Sequence, residues 1–238
     1  SLIVRWIETE TTRRGEKILT LKAAPVELGP ILDRCLWSRA TPVLVSATLE
    51  IDGSFDYPAS RLGVTGFRSL NVGTPFDFAR QALIYIPGHL PPPDAQNRAA
   101  WSAMAIAEMR DLVRASDGRA LLLFTSTAQM RTAYDSLSQF LPYTCLIQGS
   151  LPNKRLAEQF VEDKHSVLFA TRSFFTGVDF QGEACSLVIL DKLPFATPTD
   201  PLVGAQTELI ESRGGNSFAE FTIPEMTLPL IQGFGRLI

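Results

Sequence analysis

The chain has 238 residues, and 45% of them are hydrophobic, which is enough for a buried core and argues against disorder. The formal net charge of −3 excludes a generally basic surface, so any contact with nucleic acid must come from a local groove. No apolar stretch approaches the roughly 20 residues that span a bilayer. The three cysteines are too scattered for a ligand cluster, and their odd number argues against a disulfide framework. We therefore expect a protein of the reducing cytoplasm with no membrane contact.

Strand predictions come from short runs that are apolar on both faces, as in a parallel sheet that is covered on both sides. In chain order they are PVLVSA (42–47), ALLLF (120–124), SVLFA (166–170) and SLVIL (186–190), with YTCLIQG (143–149) as a weaker fifth candidate.

Helical patterns lie between these runs, at roughly 98–114, 129–141 and 152–163. Ser126 or Thr127 supplies the N-cap of the second helix. The proline-rich segment 86–94 reads as an exposed connection. Alternating strands and helices predict an α/β fold with right-handed connections, whose functional sites lie at the carboxyl ends of the strands.

Polar clusters follow the predicted strands, as expected for such sites. They are FTS (124–126), TRSFFTGVD (171–179) and, near the end of the chain, QGFGR (232–236). Each cluster alone is typical of ordinary loops in α/β proteins. The sequence contains neither a GxxxxGK[ST] phosphate loop nor an adjacent acidic pair that would hold Mg²⁺ beside it. The two histidines are solitary and indicate no metal site.

The order of these motifs resembles the second motor domain of superfamily-two helicases, and in detail the DinG branch of the XPD-like DNA helicases. VSATL (45–49) resembles motif three of that family, and LLLFTS (121–126) resembles motif four. The segment 173–202 is similar to motif five and its continuation through KLPF to DPL, and QGFGRLI (232–238) is similar to the start of motif six. The chain departs from the family at Phe175 and Thr176, where a Trp or Ala followed by Glu is usual.

This resemblance implies a RecA-like three-layer α/β domain with a mostly parallel sheet. Residues 1–50 would be the end of the first motor domain, and residues 51–238 would be the second motor domain, truncated within motif six. The phosphate loop, the acidic Mg²⁺ motif and any iron–sulfur cluster would then lie upstream of this chain.

The resemblance also implies residues for the nucleotide side. Arg236 would contact the γ-phosphate of ATP, and Gln232 would orient the arginine loop, which makes these two the catalytic candidates. Gly177, Asp179 and Gly235 would complete the nucleotide-binding set. ATP and Mg²⁺ are expected in the full-length enzyme, and we expect no metal ligands in this chain.

Residues at the predicted strand ends are the candidates for contacts with the DNA backbone, through hydroxyls, amides and cations. They are Thr125, Ser126, Gln148, Arg172 and Ser173. Lys154, Arg155 and Lys192 are weaker candidates, because a cation on a helix or loop is usually just solvated. For Phe174 and Phe175, stacking on bases and packing in the core are both open.

The expected function is that of a helicase motor that couples ATP hydrolysis to translocation on single-stranded DNA and to unwinding, in DNA repair or replication. Branched or forked DNA would be its partner, and the protein would be a monomer of the bacterial cytoplasm, associated with the nucleoid. The chain alone would be inactive. Two alternatives stay open: a non-catalytic nucleic-acid or protein-interaction module with a RecA-like fold, and the helicase part of an exonuclease–helicase fusion.

Overall fold

A computed structural model describes residues 2–12, 15–94, 96–171, 174, 184–235 and 237. The strands are β1 (Ile3–Thr11), β2 (Lys17–Pro25), β3 (Ala120–Phe124), β4 (Cys145–Ile147), β5 (Val167–Thr171) and β6 (Leu187–Leu190). The helices are α1 (Gly29–Leu32), α2 (Asp56–Leu62), α3 (Phe78–Gln81), α4 (Arg98–Ala115), α5 (Thr127–Leu137), α6 (Asn153–Glu162), α7 (Pro201–Ser212) and α8 (Ile223–Phe234). Two π-helical turns, Asp33–Trp37 and Phe218–Thr222, follow α1 and precede α8.

The chain divides into two compact units. The first comprises Ser1–Val72 and Phe195–Leu228, and the second comprises Gly73–Pro194 and Pro229–Ile238. None of the described helices is both long enough and apolar enough to cross a bilayer.

The first unit contains an antiparallel hairpin that the sequence analysis did not predict. β1 pairs with β2 from Ile3 opposite Pro25 to Thr11 opposite Lys17, and the two strands form a sheet of their own. β-branched residues are frequent in β1, which favours an extended backbone. Several apolar side chains of the hairpin are nevertheless exposed, among them Ile7 (63%) and Leu21 (76%).

Polar contacts of side chains tie the helices of the first unit together. The Tyr57 hydroxyl donates a 2.6 Å hydrogen bond to Glu225, so α2 is linked to α8. The guanidinium of Arg61 lies 5.4 Å from the centre of the Phe221 ring, a cation–π contact. The indole N–H of Trp37 donates to the carbonyl oxygen of Leu62 at 2.8 Å.

The predicted strand at 42–47 is wrong. Residues 41–50 contain no strand, and the side chains of Val43 (85%) and Val45 (89%) are exposed. The apolar run of the sequence was read as a strand covered on both sides. A strand of that kind requires neighbouring strands to pair its backbone, and the described part of the first unit pairs only β1 with β2.

The second unit is a parallel α/β sheet, which confirms the predicted fold class. Its four strands lie in the order β4-β5-β3-β6, and all three pairs are parallel. These strands confirm the other four strand predictions, including the weaker one at 143–149. The three predicted helices are confirmed as α4, α5 and α6, although α5 begins two residues earlier and ends four residues earlier than the pattern indicated.

Two hydrophobic layers cover the faces of this sheet. Ala120, Leu122 and Phe124 point to the face covered by α4 and α5, where they pack with residues such as Met130. Leu121 and Leu123 point to the opposite face, where they pack with residues of α6 such as Phe160. The alternation of successive side chains explains why every residue of β3 is buried. Phe174 also lies in this second layer with 1% exposure, so core packing is its role.

Candidate functional site

The carboxyl edge of the four-stranded sheet collects the polar residues that the sequence analysis selected. Thr125 and Ser126 follow β3, and Gln148 follows β4. Because parallel strands end at the same edge, these residues share one side of the sheet. The fold therefore brings together the described members of the predicted DNA-binding set.

The turn after β3 is held by a side chain from the end of β6. The backbone N–H of Thr125 donates to Oδ1 of Asp191 at 2.9 Å. The backbone N–H of Asp191 donates in turn to the carbonyl oxygen of Leu123 at 3.1 Å. Asp191 thus extends the pairing of β3 and β6 by one position, with its carboxylate in place of a backbone carbonyl.

At the end of β5, a side-chain oxygen again takes the place of a backbone carbonyl as the acceptor. Oε1 of Gln148 accepts from the backbone N–H of Thr171 at 2.7 Å and from the Thr171 hydroxyl at 3.0 Å. The side-chain carbonyl of Gln148 is therefore committed to the sheet. Any contact of Gln148 with DNA would have to use its amide nitrogen or its backbone.

Ser126 links the turn to the helix that follows. Its backbone is extended, and its hydroxyl accepts a hydrogen bond from the N–H of Gln129 at 3.2 Å, which confirms Ser126 as the N-cap of α5. The side chain of Gln129 donates to the Ser102 hydroxyl at 3.0 Å, so the start of α5 is also tied to α4. Thr125 and Ser126 are exposed, which leaves the turn open to a ligand.

Two charged residues of the described part of this edge, Asp191 and Lys192, contact each other. The Asp191 side chain is fully buried, and burial raises the pKa of its carboxyl group, against the lowering effect of the hydrogen bond from Thr125. The Lys192 ammonium lies 3.6 Å from Oδ2 of Asp191 and 4.5 Å from the centre of the Trp101 ring. One cation is thus shared between a buried carboxylate and an aromatic face.

On the nucleotide side, the structure describes two of the predicted residues. Gln232 lies in the last turn of α8, and the N–H of Gly235 donates to the carbonyl oxygen of Ile231 at 2.9 Å. Leu237 packs against the sheet layer that contains Leu123 and Phe160. The carboxyl end of a helix presents carbonyl oxygens and a partial negative charge, so it offers phosphate nothing without a nearby cation.

Five predicted site residues lie outside the described residues, and so does Phe175. They are Arg172, Ser173, Gly177, Asp179 and Arg236. Within the described ranges, no three residues among the histidines, cysteines, aspartates and glutamates cluster as a metal site would require.

Sequence reasoning missed Asp191. Asp191 directly follows the predicted strand SLVIL (186–190), but an aspartate after a strand is most often an ordinary turn residue. Its position directly before the KLPF segment (192–195) was the available signal.

The comparisons with known proteins bear on the same part of the chain. The family model described as "Helicase C-terminal domain" matches residues 109–238, which include the whole four-stranded sheet. The chain belongs to the helicase C-terminal domain family. This result confirms the helicase resemblance drawn from the motifs.

Curated relatives refine the family assignment. The chain is 38% identical to the ATP-dependent helicase DinG of Mycobacterium tuberculosis (strain ATCC 25177 / H37Ra), over 99% of the chain and 35% of that protein. It is 40% identical to the ATP-dependent DNA helicase YoaA of Escherichia coli K12, over 82% of the chain and 30% of that protein. A 28% identical match is the 3'-5' exonuclease DinG of Bacillus subtilis, over 98% of the chain and 26% of that protein. The chain thus spans about a third of the length of the curated relatives it matches, and the resemblance to DinG-type helicases is confirmed.

Proposed function

We propose that this chain is the C-terminal motor part of an ATP-dependent DNA helicase of the DinG type. The observation that carries the proposal is the helicase family match over 109–238, joined to relatives that are named ATP-dependent helicases over nearly the whole chain. The helicase names at 38% and 40% identity favour this function over an exonuclease fusion, whose name occurs at 28%. They also favour it over a non-catalytic module.

The carboxyl edge of the sheet is the proposed contact with single-stranded DNA, through Thr125, Ser126, Gln148, Arg172 and Ser173. The exposed turn at 125–126 supports this assignment, because its hydroxyls can reach phosphate oxygens. With a net charge of −3, the chain has no general attraction for DNA, so contacts must be local. Backbone contacts of this kind carry no sequence preference.

ATP is the proposed substrate, and this chain would supply one side of its site. The described end of α8 presents carbonyl oxygens and not the amide groups that cradle phosphates. Arg236, which follows Gly235 in the sequence, would supply the positive charge. An arginine aimed at the transferring γ-phosphoryl group is worth about 10³ to 10⁵ in rate where it has been studied. Gln232 would orient the arginine loop, and Asp179 would link the nucleotide to the DNA-binding turns. Gly177 and Gly235 would complete the nucleotide-binding set.

Magnesium would accompany ATP on the other motor domain, because this chain contains no phosphate loop and no acidic pair beside one. An iron–sulfur cluster, if the protein has one, would also be held elsewhere, since three scattered cysteines cannot supply four ligands.

The boundary of the motor domains is proposed at residue 50. Residues 1–50 would complete the sheet of the first motor domain, and 51–238 would form the second. The resemblance of VSATL (45–49) to motif three, which ends the first motor domain in that family, supports this division.

The proposed setting is DNA repair or replication in the bacterial cytoplasm, at the nucleoid. The enzyme would act as a monomer on forked or branched DNA with a single-stranded arm. The DNA helicase names of the relatives support the DNA substrate.

ATP hydrolysis by this chain alone and by the complete protein tests the proposal. The chain should show no steady turnover with single-stranded DNA present, because half of an interface cannot preorganise the transition state. The complete protein should hydrolyse ATP in response to DNA and unwind a forked duplex. Steady turnover by the pure chain, or a complete protein that ignores DNA, would contradict the proposal.

A further inference from the structure

The Asp191 carboxylate is fully buried, although Thr125 and Ser126 at the same edge of the sheet are exposed. Two of its hydrogen bonds go to the end of β3: its carboxylate accepts from the Thr125 N–H, and its own N–H donates to the carbonyl oxygen of Leu123. Within the described residues, the second carboxylate oxygen, Oδ2, makes no hydrogen bond. Burying a carboxylate costs free energy unless it is paired and hydrogen-bonded, so the partners of Asp191 show what its side chain holds in place.

What it holds is the backbone of the Thr125–Ser126 turn. The pairing of β3 with β6 ends at Leu123 opposite Leu190, and the next free N–H on that side of β3 belongs to Thr125. Without Asp191, this N–H would lose its acceptor at the point where the chain leaves the sheet. On the other side of the turn, the Ser126 hydroxyl caps α5. The turn is thus fixed at both ends.

The contacts of Lys192 give it a supporting role. Its ammonium is near Oδ2 of Asp191 and lies over the ring of Trp101, a side chain with only 5% exposure. A cation held between these two groups offsets the charge of the carboxylate. It is poorly placed to contact a phosphate at the same time.

We infer that Asp191 is a positioning residue for DNA binding, because it fixes the Thr125–Ser126 turn. Lys192, which lies over the Trp101 ring, offsets the charge of Asp191 and does not contact DNA. This inference rests on the proposed function, since it concerns the edge that we assign to the strand. The change in DNA affinity that it predicts on removal of Asp191 has the opposite sign from a simple charge effect. Removing a negative charge near DNA should strengthen binding, whereas losing the position of the turn should weaken it.

Asp191→Ala and Asp191→Asn form the matched pair that tests the inference in the complete protein. Both remove the charge, but only asparagine keeps a side-chain oxygen that can accept from Thr125. The Ala variant should bind an oligo-dT strand about tenfold more weakly, as expected for losing a hydrogen bond to a charged group. The Asn variant should stay within about threefold of the wild type.

The kinetics of DNA-stimulated ATP hydrolysis separate positioning from catalysis. In Asp191→Ala, the DNA concentration for half-maximal stimulation should rise about tenfold, while the rate at saturating DNA stays within about threefold. The inference is overturned if Ala binds DNA as tightly as the wild type, if Ala and Asn are equally weak, or if only the saturated rate falls.

Lys192→Met provides a second test that leaves Asp191 itself unchanged, together with the side-chain acceptor for the Thr125 N–H. The slope of log affinity against log salt concentration should be unchanged. A slope smaller by about 0.7 would mean that Lys192 contacts a phosphate of the single strand, and it would contradict the inference.

Hydrogen exchange of the Thr125 amide distinguishes this inference from the proposed function. In Asp191→Ala the amide should exchange at least about tenfold faster than in the wild type and in Asp191→Asn, with or without DNA. Equal exchange in all three proteins would overturn the inference even if the protein is a helicase. A wild-type protein that fails to bind DNA would instead overturn the proposed function.

Discussion

Ser126 caps a helix and also stands at the edge that we assign to DNA, so its two roles can be separated by substitution. Ser126→Ala removes the acceptor for the Gln129 N–H and should lower the free energy of unfolding by about 1 kcal/mol. Ser126→Asp keeps a capping oxygen and should stay within roughly 0.5 kcal/mol of the wild type. Urea unfolding of the chain measures both values.

DNA binding by the same two variants tests the second role of Ser126. In the complete protein, Ser126→Asp should bind single-stranded DNA more weakly than Ser126→Ala, because a carboxylate at a phosphate contact repels it. If Ser126→Asp is as unstable as Ser126→Ala, the cap is not the source of stability. If it binds DNA like the wild type, Ser126 does not face the strand.

At the scale of elements, the turn between α4 and β3 depends on a close backbone approach. Gly118 has φ = +77°, and a Cβ atom there would clash with the carbonyl oxygen of His165. Asp117 and Arg119 on either side also have positive φ angles, so the turn is tight throughout. The hydrogen bond from Ala120 N–H to the Ser166 carbonyl begins the pairing of β3 and β5 directly after this turn.

Gly118→Ala should therefore destabilise the second unit more than a glycine substitution that meets no neighbour. We expect a loss of about 3 kcal/mol or more, the sum of left-handed strain (roughly 1–2 kcal/mol) and overpacking (roughly 1–3 kcal/mol). Gly149→Ala is the matched control, because φ is +96° there but no atom lies within 4 Å of the added Cβ. Equal losses in urea unfolding would show that the approach to His165 is not tight.

Most elements of the second unit could be predicted from the sequence because each one carries its own pattern. Buried parallel strands such as β3 are continuous apolar runs, and α6 has apolar residues at helical spacing. The run at 42–47 is also mostly apolar, with Pro42 and Ser46 among its six residues, but it forms no strand. An apolar run indicates that a segment favours a strand, but it does not indicate whether another strand lies beside it to pair with its backbone.

Other elements were missed although signals existed. α7 begins with Asp200 as N-cap and Pro201 at its first position, which is a common helix start. The same residues belong to the DPL motif, which was interpreted only as a family signature. In the site, Ser126 was predictable because capping is local in sequence. The contact of Asp191 with Thr125 joins residues 66 positions apart, so only the pairing of β3 with β6 reveals it.

At the scale of the whole molecule, the chain carries the parallel sheet and the predicted arginine loop of a helicase motor, but no phosphate loop. We expect its catalytic contribution to be one positive charge, Arg236, offered to a nucleotide that another domain holds. DNA binding would use a different arginine, Arg172, which follows the predicted strand SVLFA (166–170) closely in the sequence. Substitution of Arg236 should therefore impair ATP hydrolysis, whereas substitution of Arg172 should impair DNA binding.

ATP hydrolysis by the Arg236→Ala variant of the complete protein is the most direct test of this division. DNA-stimulated turnover should fall by at least about 10²-fold, because charge at the transferring group is lost while the main nucleotide cradle stays intact. Binding of DNA without ATP should barely change. Arg172→Ala should weaken DNA binding and lower its salt dependence. If Arg236→Ala leaves ATP hydrolysis intact, or abolishes DNA binding instead, the assignment of the motif-six loop to the nucleotide is contradicted.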